Sequence, residues 1–349
     1  MSTPLLEVRD LHTVFHTARG DVHAVNEVSL SLAPGETLGI VGESGSGKSV
    51  LGRTIMGLIS GSREVSITGD VTVKGHHVHD MPVTRRRHLW GTDIAMVFQD
   101  PMTSLNPVKK VGKHLTEALR LHLRMDRAQA AQRAVELLRQ VGIPEPERRL
   151  AQYPHELSGG MRQRVVIAMA LACGPDLLIA DEPTTALDVT VQKQILDLLE
   201  SLSTQLDMAT ILISHDLGVV AGRTDRVAVM YAGEVIESAD TKRIFDAPRH
   251  PYTEALAESI PRLDNPPHTM LRTISGQPAN LLEEPRGCRF APRCRYAQDV
   301  CTENEPALTG IEAGGAESGQ GSVACHFPLD RAAESTGGPP RETADSMES

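Results

Sequence analysis

Three short segments of this 349-residue chain combine residue types and spacings suited to holding and cleaving a phosphoanhydride. The first, Gly42-Glu43-Ser44-Gly45-Ser46-Gly47-Lys48-Ser49, fits the pattern G-x-x-x-x-G-K-[ST]. Its glycines let backbone N–H groups converge on phosphate oxygens, Lys48 can neutralise their charge, and Ser49 can ligate Mg²⁺. The second, Leu177-Leu178-Ile179-Ala180-Asp181-Glu182, is four apolar residues running into two carboxylates. A buried strand would deliver both to its tip, Asp181 towards Mg²⁺ and Glu182 as general base for an attacking water. An apolar strand ending in an acidic turn is common, so this segment gains its meaning from the phosphate loop before it. The third, Leu157-Ser158-Gly159-Gly160-Met161 with Gln163 behind, places a serine and two glycines at the start of an apolar helix. Free N–H groups and a positive dipole end there make a further phosphate site, the bland alternative being a glycine-relaxed N-cap.

These residues need a scaffold of alternating strands and helices. LLEVRDL, HAVNEVSLSL, TLGIV and SITGDVTVKG read as strands between residues 5 and 80. TLGIV stops at the glycine-rich loop, and Val50, Leu51, Ile55 and Met56 start a helix just after it. A helical pattern fills Val111 to Val141, closed by Gly142 and Pro144. Leu157 to Cys173 reads as a helix with Ser158 as N-cap, LLIA as a buried strand, Val191 to Leu202 as a helix and ATILIS as another strand. Alternation of this kind predicts a mostly parallel sheet covered on both faces. Beyond Pro261 the sequence turns to Pro, Arg and Cys, and residues 331–349 are polar and expected to be disordered.

Composition narrows the classes. With 40% hydrophobic and 23% charged residues the chain should fold, and its net charge of -10 argues against a nucleic-acid partner. Val165–Cys173 and Leu177–Ala180, its longest apolar stretches, fall short of the roughly 20 residues of a membrane-spanning helix. The N-terminus shows no secretory pattern, so a cytoplasmic location is expected. Four of the five cysteines, Cys288, Cys294, Cys301 and Cys325, follow the spacing C-x5-C-x6-C-x23-C, which suggests metal binding rather than disulfides but does not name the metal. Cys173 sits apart in an apolar helix and reads as core. His76, His77 and His79 follow a strand and read as a solvated turn, and Arg85-Arg86-Arg87 as an exposed helix face.

With LSGG between the phosphate loop and the acidic strand tip, the chain resembles the ABC ATPase family. That resemblance implies a P-loop NTPase of α/β class: a RecA-like core with an antiparallel β subdomain and a helical subdomain, here followed by a small irregular Cys-rich extension. Matched residue by residue, Gln99 is similar to the Q-loop glutamine that contacts Mg²⁺, Asp188 to the D-loop aspartate, and His215 to the switch histidine that reaches the γ-phosphate. Phe15 resembles the aromatic that stacks on adenine, with a core phenylalanine as the rival. The implied nucleotide set is Phe15, residues Gly42 to Val50, Gln99, Asp181 and Asp188, together with Ser158, Gly159 and Gly160 acting on a second subunit's ATP. Ser49, Gln99 and Asp181 would hold Mg²⁺, and Glu182, His215 and Gln99 would carry the catalysis.

The segment from His250-Pro251-Tyr252-Thr253 through GCRFAPRCRYAQDVC resembles the C-terminal extension of dipeptide and oligopeptide importer ATPases. The resemblance implies a [4Fe-4S] cluster on the four cysteines, zinc and unligated thiols being the alternatives, with Arg289, Arg293 and Arg295 offsetting its charge. It divides the chain into a nucleotide-binding domain over 1–260, its helical subdomain at about 101–160, a metal-binding extension over 261–330 and a tail over 331–349. The implied partners are a second ABC ATPase, two membrane permeases met through Met102 to Pro107, and a peptide-binding protein outside the membrane, with the chain on the cytoplasmic face. Import of nickel or glutathione, or a soluble role on DNA or ribosomes, are the competing readings.

Overall fold

The computed structural model describes residues 3–59, 61–185, 187–260, 274–282, 286–311 and 321–330. Five parallel strands form its centre, in the order Arg226–Tyr231, Thr37–Val41, Ala209–Ser214, Leu177–Asp181 and Ile94–Val97. Thr37–Val41 runs in register between its neighbours, Ile40 opposite Ile213 on one side and Ala228 on the other. These strands are apolar at successive positions, and nearly every residue is buried. A parallel strand must hide both faces, so no polar alternation survives.

The two faces supply two cores. On one, Leu38, Ile40, Ile179, Ile211 and Ile213 pack with Leu51 and Ile55 of the helix Lys48–Ile55 and with Leu6, Leu11, Val28 and Val71 of a separate antiparallel sheet. That sheet has the strands Gly20–Leu32, Leu6–Thr17, Val65–Val73 and His76–His77 in this order. On the other, Val41, Leu178, Ala180, Leu212 and Val229 pack against the helices Gly159–Ala170 and Val189–Leu206 and the helical subdomain. Each side chain moved from water into these cores contributes roughly 1.5–3 kcal/mol, enough to hold the strand tips rigidly.

The expected antiparallel β subdomain and helical subdomain are both present. The helical pattern of residues 111–141 resolves into two helices, Val111–His122 and Arg127–Gln140. The second starts at a capping box: Asp126 accepts from the backbone N–H groups of Ala128 and Gln129, and Gln129 reaches back to the Asp126 N–H.

Two surface readings need adjusting. His76 and His77 are exposed as expected, but they form a short edge strand paired with Val65–Val73 rather than a turn, and His79 is half-buried. Arg86, expected on an exposed helix face, is 6% exposed and donates to the carbonyls of Gly57 and Met81. An arginine is tolerated there because its fork replaces water with backbone acceptors.

The extension contributes more regular structure than its composition announces. Thr309–Ile311 and Gly321–Val323 pair with each other, and the second pairs with Glu234–Asp240, so they continue the edge of the central sheet. Phe290 joins the core of the second face and meets Tyr231 and Tyr252 edge-on. The expected tail over 331–349 and the boundary at Pro261 lie outside the described residues.

Candidate active site

The strand Thr37–Val41 ends at Gly42, and the loop that follows turns directly into the helix Lys48–Ile55. Gly47 caps that helix at φ 98°, where a Cβ would sit 2.1 Å from the carbonyl oxygen of Ala24. Only glycine allows both the conformation and the approach. Lys48, 4% exposed, donates to the carbonyls of Gly42 and Glu43 at 2.7 and 2.8 Å and to Ser46 Oγ at 3.2 Å. Burial pulls its pKa down, and the carboxylates of Glu182, Asp181 and Glu43 pull it back up. A cation is thereby suspended in the loop, with carboxylates around it.

One strand further out, past Ala209–Ser214, Asp181 is fully buried at the tip of Leu177–Asp181. Its Oδ1 accepts from Ser49 Oγ at 2.7 Å, while Oδ2 has no hydrogen-bond partner and lies 3.9 Å from Arg53. Burial pushes this carboxyl up from its ordinary value. A hydroxyl and an orphaned carboxylate oxygen side by side are hard donors of the kind Mg²⁺ takes.

The next residue carries the clearest convergence. Glu182 is held at φ 45°, unusual for a non-glycine residue, with its N–H donating to Ile213 O at 3.0 Å. Its Oε2 accepts from Gln99 Nε2 at 2.9 Å and Thr185 Oγ at 3.1 Å, and lies 3.1 Å from His215 Nδ1. Three separate segments therefore aim at one carboxylate oxygen, beside a pocket of about 340 Å³ lined by Thr185, Gln192, His215 and Asp216. In this arrangement Gln99 faces Glu182. Thr185 escaped the sequence reading because a threonine three residues after an acidic turn has no distinguishing pattern.

The LSGG segment sits where a helix start was expected. Ser158 caps Gly159–Ala170, its Oγ accepting from Met161 N at 3.3 Å, and Ser158 and Gly159 are exposed. A Cβ on Gly160 would come within 2.7 Å of Val191, so that glycine lets the helix Val189–Leu206 pack closely. Asp188 caps that second helix through Val191 N at 3.0 Å. Phe15 is half-buried between Val22 and Val65 on the antiparallel sheet and belongs to neither core cluster.

Cys288, Cys294, Cys301 and Cys325 line one small pocket with His250, Phe290 and Phe327. All are free thiols, and burial raises the pKa of Cys288, Cys294 and Cys325, the last to about 11. Among the described residues no three His, Cys, Asp or Glu side chains meet in a geometry that holds a metal ion. The expectation for the arginines is corrected. Arg289 pairs with Glu234, Arg293 with Glu43 and Arg295 with Glu254, all carboxylates outside the extension. Paired with nearby carboxylates, guanidinium groups are better placed at this seam than facing neutral thiols. Cys173 is half-buried against the second core. Among the described residues no helix is long and apolar enough to cross a membrane.

Comparison with known proteins fits this geometry. Residues 25–185 match the family described as ABC transporter, and residues 236–301 the one described as oligopeptide/dipeptide transporter, C-terminal region. The oligopeptide transport ATP-binding protein OppD of Escherichia coli is 51% identical over 302 residues, 86% of this chain and 89% of that protein. Its Bacillus subtilis counterpart is 51% identical over 306 residues, 88% and 86% of the two chains. Among solved structures, a dimeric ATP-binding cassette in a post-hydrolysis state bound to ADP and Pi superimposes with TM-score 0.61 at 27% identity, covering 68% of this chain and 98% of that one.

Proposed function

This chain belongs to the ABC transporter family, and from that premise we propose how its residues divide the labour of a peptide importer's ATPase. It is the ATP-binding, ATP-hydrolysing subunit of an oligopeptide-type importer. The observation that carries the mechanism is the convergence of Gln99, Thr185 and His215 on Glu182 Oε2.

Residues Gly42 to Val50 hold the triphosphate, with Lys48 exchanging its loop carbonyls for phosphate oxygens. Ser49 and Asp181, whose Oδ2 has no hydrogen-bond partner, would hold Mg²⁺, which would supply charge neutralisation to the phosphates. Glu182 orients and deprotonates the attacking water. Gln99 and His215, at 2.9 and 3.1 Å, fix which oxygen faces it and tie that choice to the two segments that carry them. Phe15, half-buried rather than core, offers its face to adenine.

ATP closes a dimer in which Ser158, Gly159 and Gly160 of one cassette cap the nucleotide of the other. Exposure of Ser158 and Gly159, and of Val189 beside Asp188 at 83%, supports this surface as one to be covered. The partner is a second copy or a related chain. Residues 1–260 act as the nucleotide-binding domain, with about 101–160 as its helical subdomain and 261–330 as the extension. Two permeases dock near Met102 to Pro107, where Val108 stands 78% exposed, and place the chain on the cytoplasmic face, with the binding protein beyond. Four thiols lining one small pocket support a [4Fe-4S] cluster held by Cys288, Cys294, Cys301 and Cys325.

Two measurements test this. Reconstituted with its permeases and binding protein, the chain drives ATP-dependent uptake of labelled oligopeptides; uptake of nickel or glutathione without peptide would replace the substrate assignment. Anaerobically purified protein carries iron and sulfide that Cys288→Ser removes; iron-free protein after anaerobic reconstitution would remove the cluster.

A further inference from the structure

The phosphate loop contains a negative charge where a polyanion must bind. Glu43 stands immediately after Gly42, its carbonyl 2.8 Å from Lys48 Nζ, and its carboxylate is close enough to act on the Lys48 charge. A bare carboxylate there would repel the triphosphate across a poorly screened distance and compete for the lysine. The extension answers that charge. Arg293, whose side chain is 3% exposed, donates from Nη1 to Glu43 Oε2 at 2.6 Å and from Nη2 to Oε1 at 2.9 Å, a two-pronged pair. The guanidinium is itself fixed: Nε donates to Ser275 O at 2.9 Å, and Nη1 lies 3.3 Å from Tyr231 Oη. Glu43 is also held by its backbone, whose N–H donates to the hydroxyl of fully buried Tyr252 at 2.8 Å. Both clamps come from segments more than 200 residues downstream.

We propose that Arg293 is a positioning residue for nucleotide binding: the extension cancels the Glu43 charge and holds the phosphate loop open to ATP. The extension is thus a structural part of the ATP site, and losing its grip costs affinity before it costs chemistry. The inference rests on assigning residues Gly42 to Ser49 to ATP.

The test measures MgATP dissociation constants and steady-state hydrolysis on the full chain, with thermal denaturation to confirm folding. Arg293→Met raises the dissociation constant and KM about tenfold while kcat at saturating ATP stays within about twofold. Adding Glu43→Gln restores affinity to within about threefold, because the uncancelled charge is gone. Wild-type affinity in Arg293→Met overturns the proposal, as does a double variant no better than the single, since arginine would then act only as packing. Should Arg293→Met fail to fold, Glu43→Gln alone decides: with Arg293 left uncancelled it tightens MgATP binding, and any weakening overturns the proposal. Failure of the reading beneath is distinct: wild-type protein would bind MgATP no better than Lys48→Ala.

Discussion

The tips of the parallel strands and the seam between extension and body both gather buried charge, but they leave it in opposite states. At the strand tips charges are incompletely matched: Asp181 keeps an oxygen without a hydrogen bond at zero exposure, Lys48 is pulled down by burial, and Glu182 sits at positive φ with three groups on one oxygen. At the seam each arginine has found a carboxylate, Arg289 with Glu234, Arg293 with Glu43 and Arg295 with Glu254. Unsatisfied groups held rigidly are ready for a ligand, whereas satisfied ones hold structure together. The same residue types therefore serve chemistry in one region and cohesion in the other.

The largest expected effect breaks this comparison on the catalytic side. Glu182→Gln keeps the shape and the contact to Thr185 but removes the base, so turnover falls by about 10²–10⁴-fold. MgATP binding persists and the closed dimer accumulates, visible by size-exclusion chromatography. Hydrolysis near wild-type level would show that the convergence on Glu182 is structural and that water is activated elsewhere.

The contrast also explains what could be read from residues alone. The placement of Lys48, Ser49, Asp181, Ser158 and His215 was legible because local sequence sets it: each lies at a strand tip or helix start whose apolar neighbours declare the element. Positioning follows, since parallel strands in register bring Val41, Asp181 and Ser214 to one edge. Thr185, Arg293 and Tyr252 were illegible in role because their partners, Glu182 excepted, lie far along the chain and no periodicity encodes such a pair. Arginines beside cysteines invite a local reading, charge offset at the thiols. The fold instead sends them to Glu43, Glu234 and Glu254, a choice that depends on how the extension pairs with Glu234–Asp240. Arg86 was misjudged for a related reason: three consecutive arginines look solvated, and only the backbone of Gly57 and Met81 makes one of them buried.

A smaller effect sharpens the seam side. Arg289, 8% exposed, pairs with Glu234, which also accepts from Asn26 Nδ2 at 2.8 Å. Burial pushes the Glu234 carboxyl up to about 7, with Arg289 and Asn26 pulling it back and Glu305 adding to the rise. Because this folded value exceeds the unfolded one of 4.5, the group's contribution to stability declines as pH climbs from 4.5 towards 7. Replacing Arg289 by Met removes the opposing cation and sends the folded value higher, so the decline continues into more alkaline solution. At pH 5 Glu234 is protonated in both proteins and the variant loses little beyond packing and the bond to Ala232 O. Above pH 7 the wild type keeps an ion pair where the variant holds a lone buried acid, and the loss by denaturant unfolding grows by up to about 1.4 kcal/mol for each further pH unit. A loss independent of pH would mean that Arg289 serves as a packed stem, and the seam would then owe its cohesion to the aromatic cluster of Tyr231, Tyr252 and Phe290 rather than to its charges.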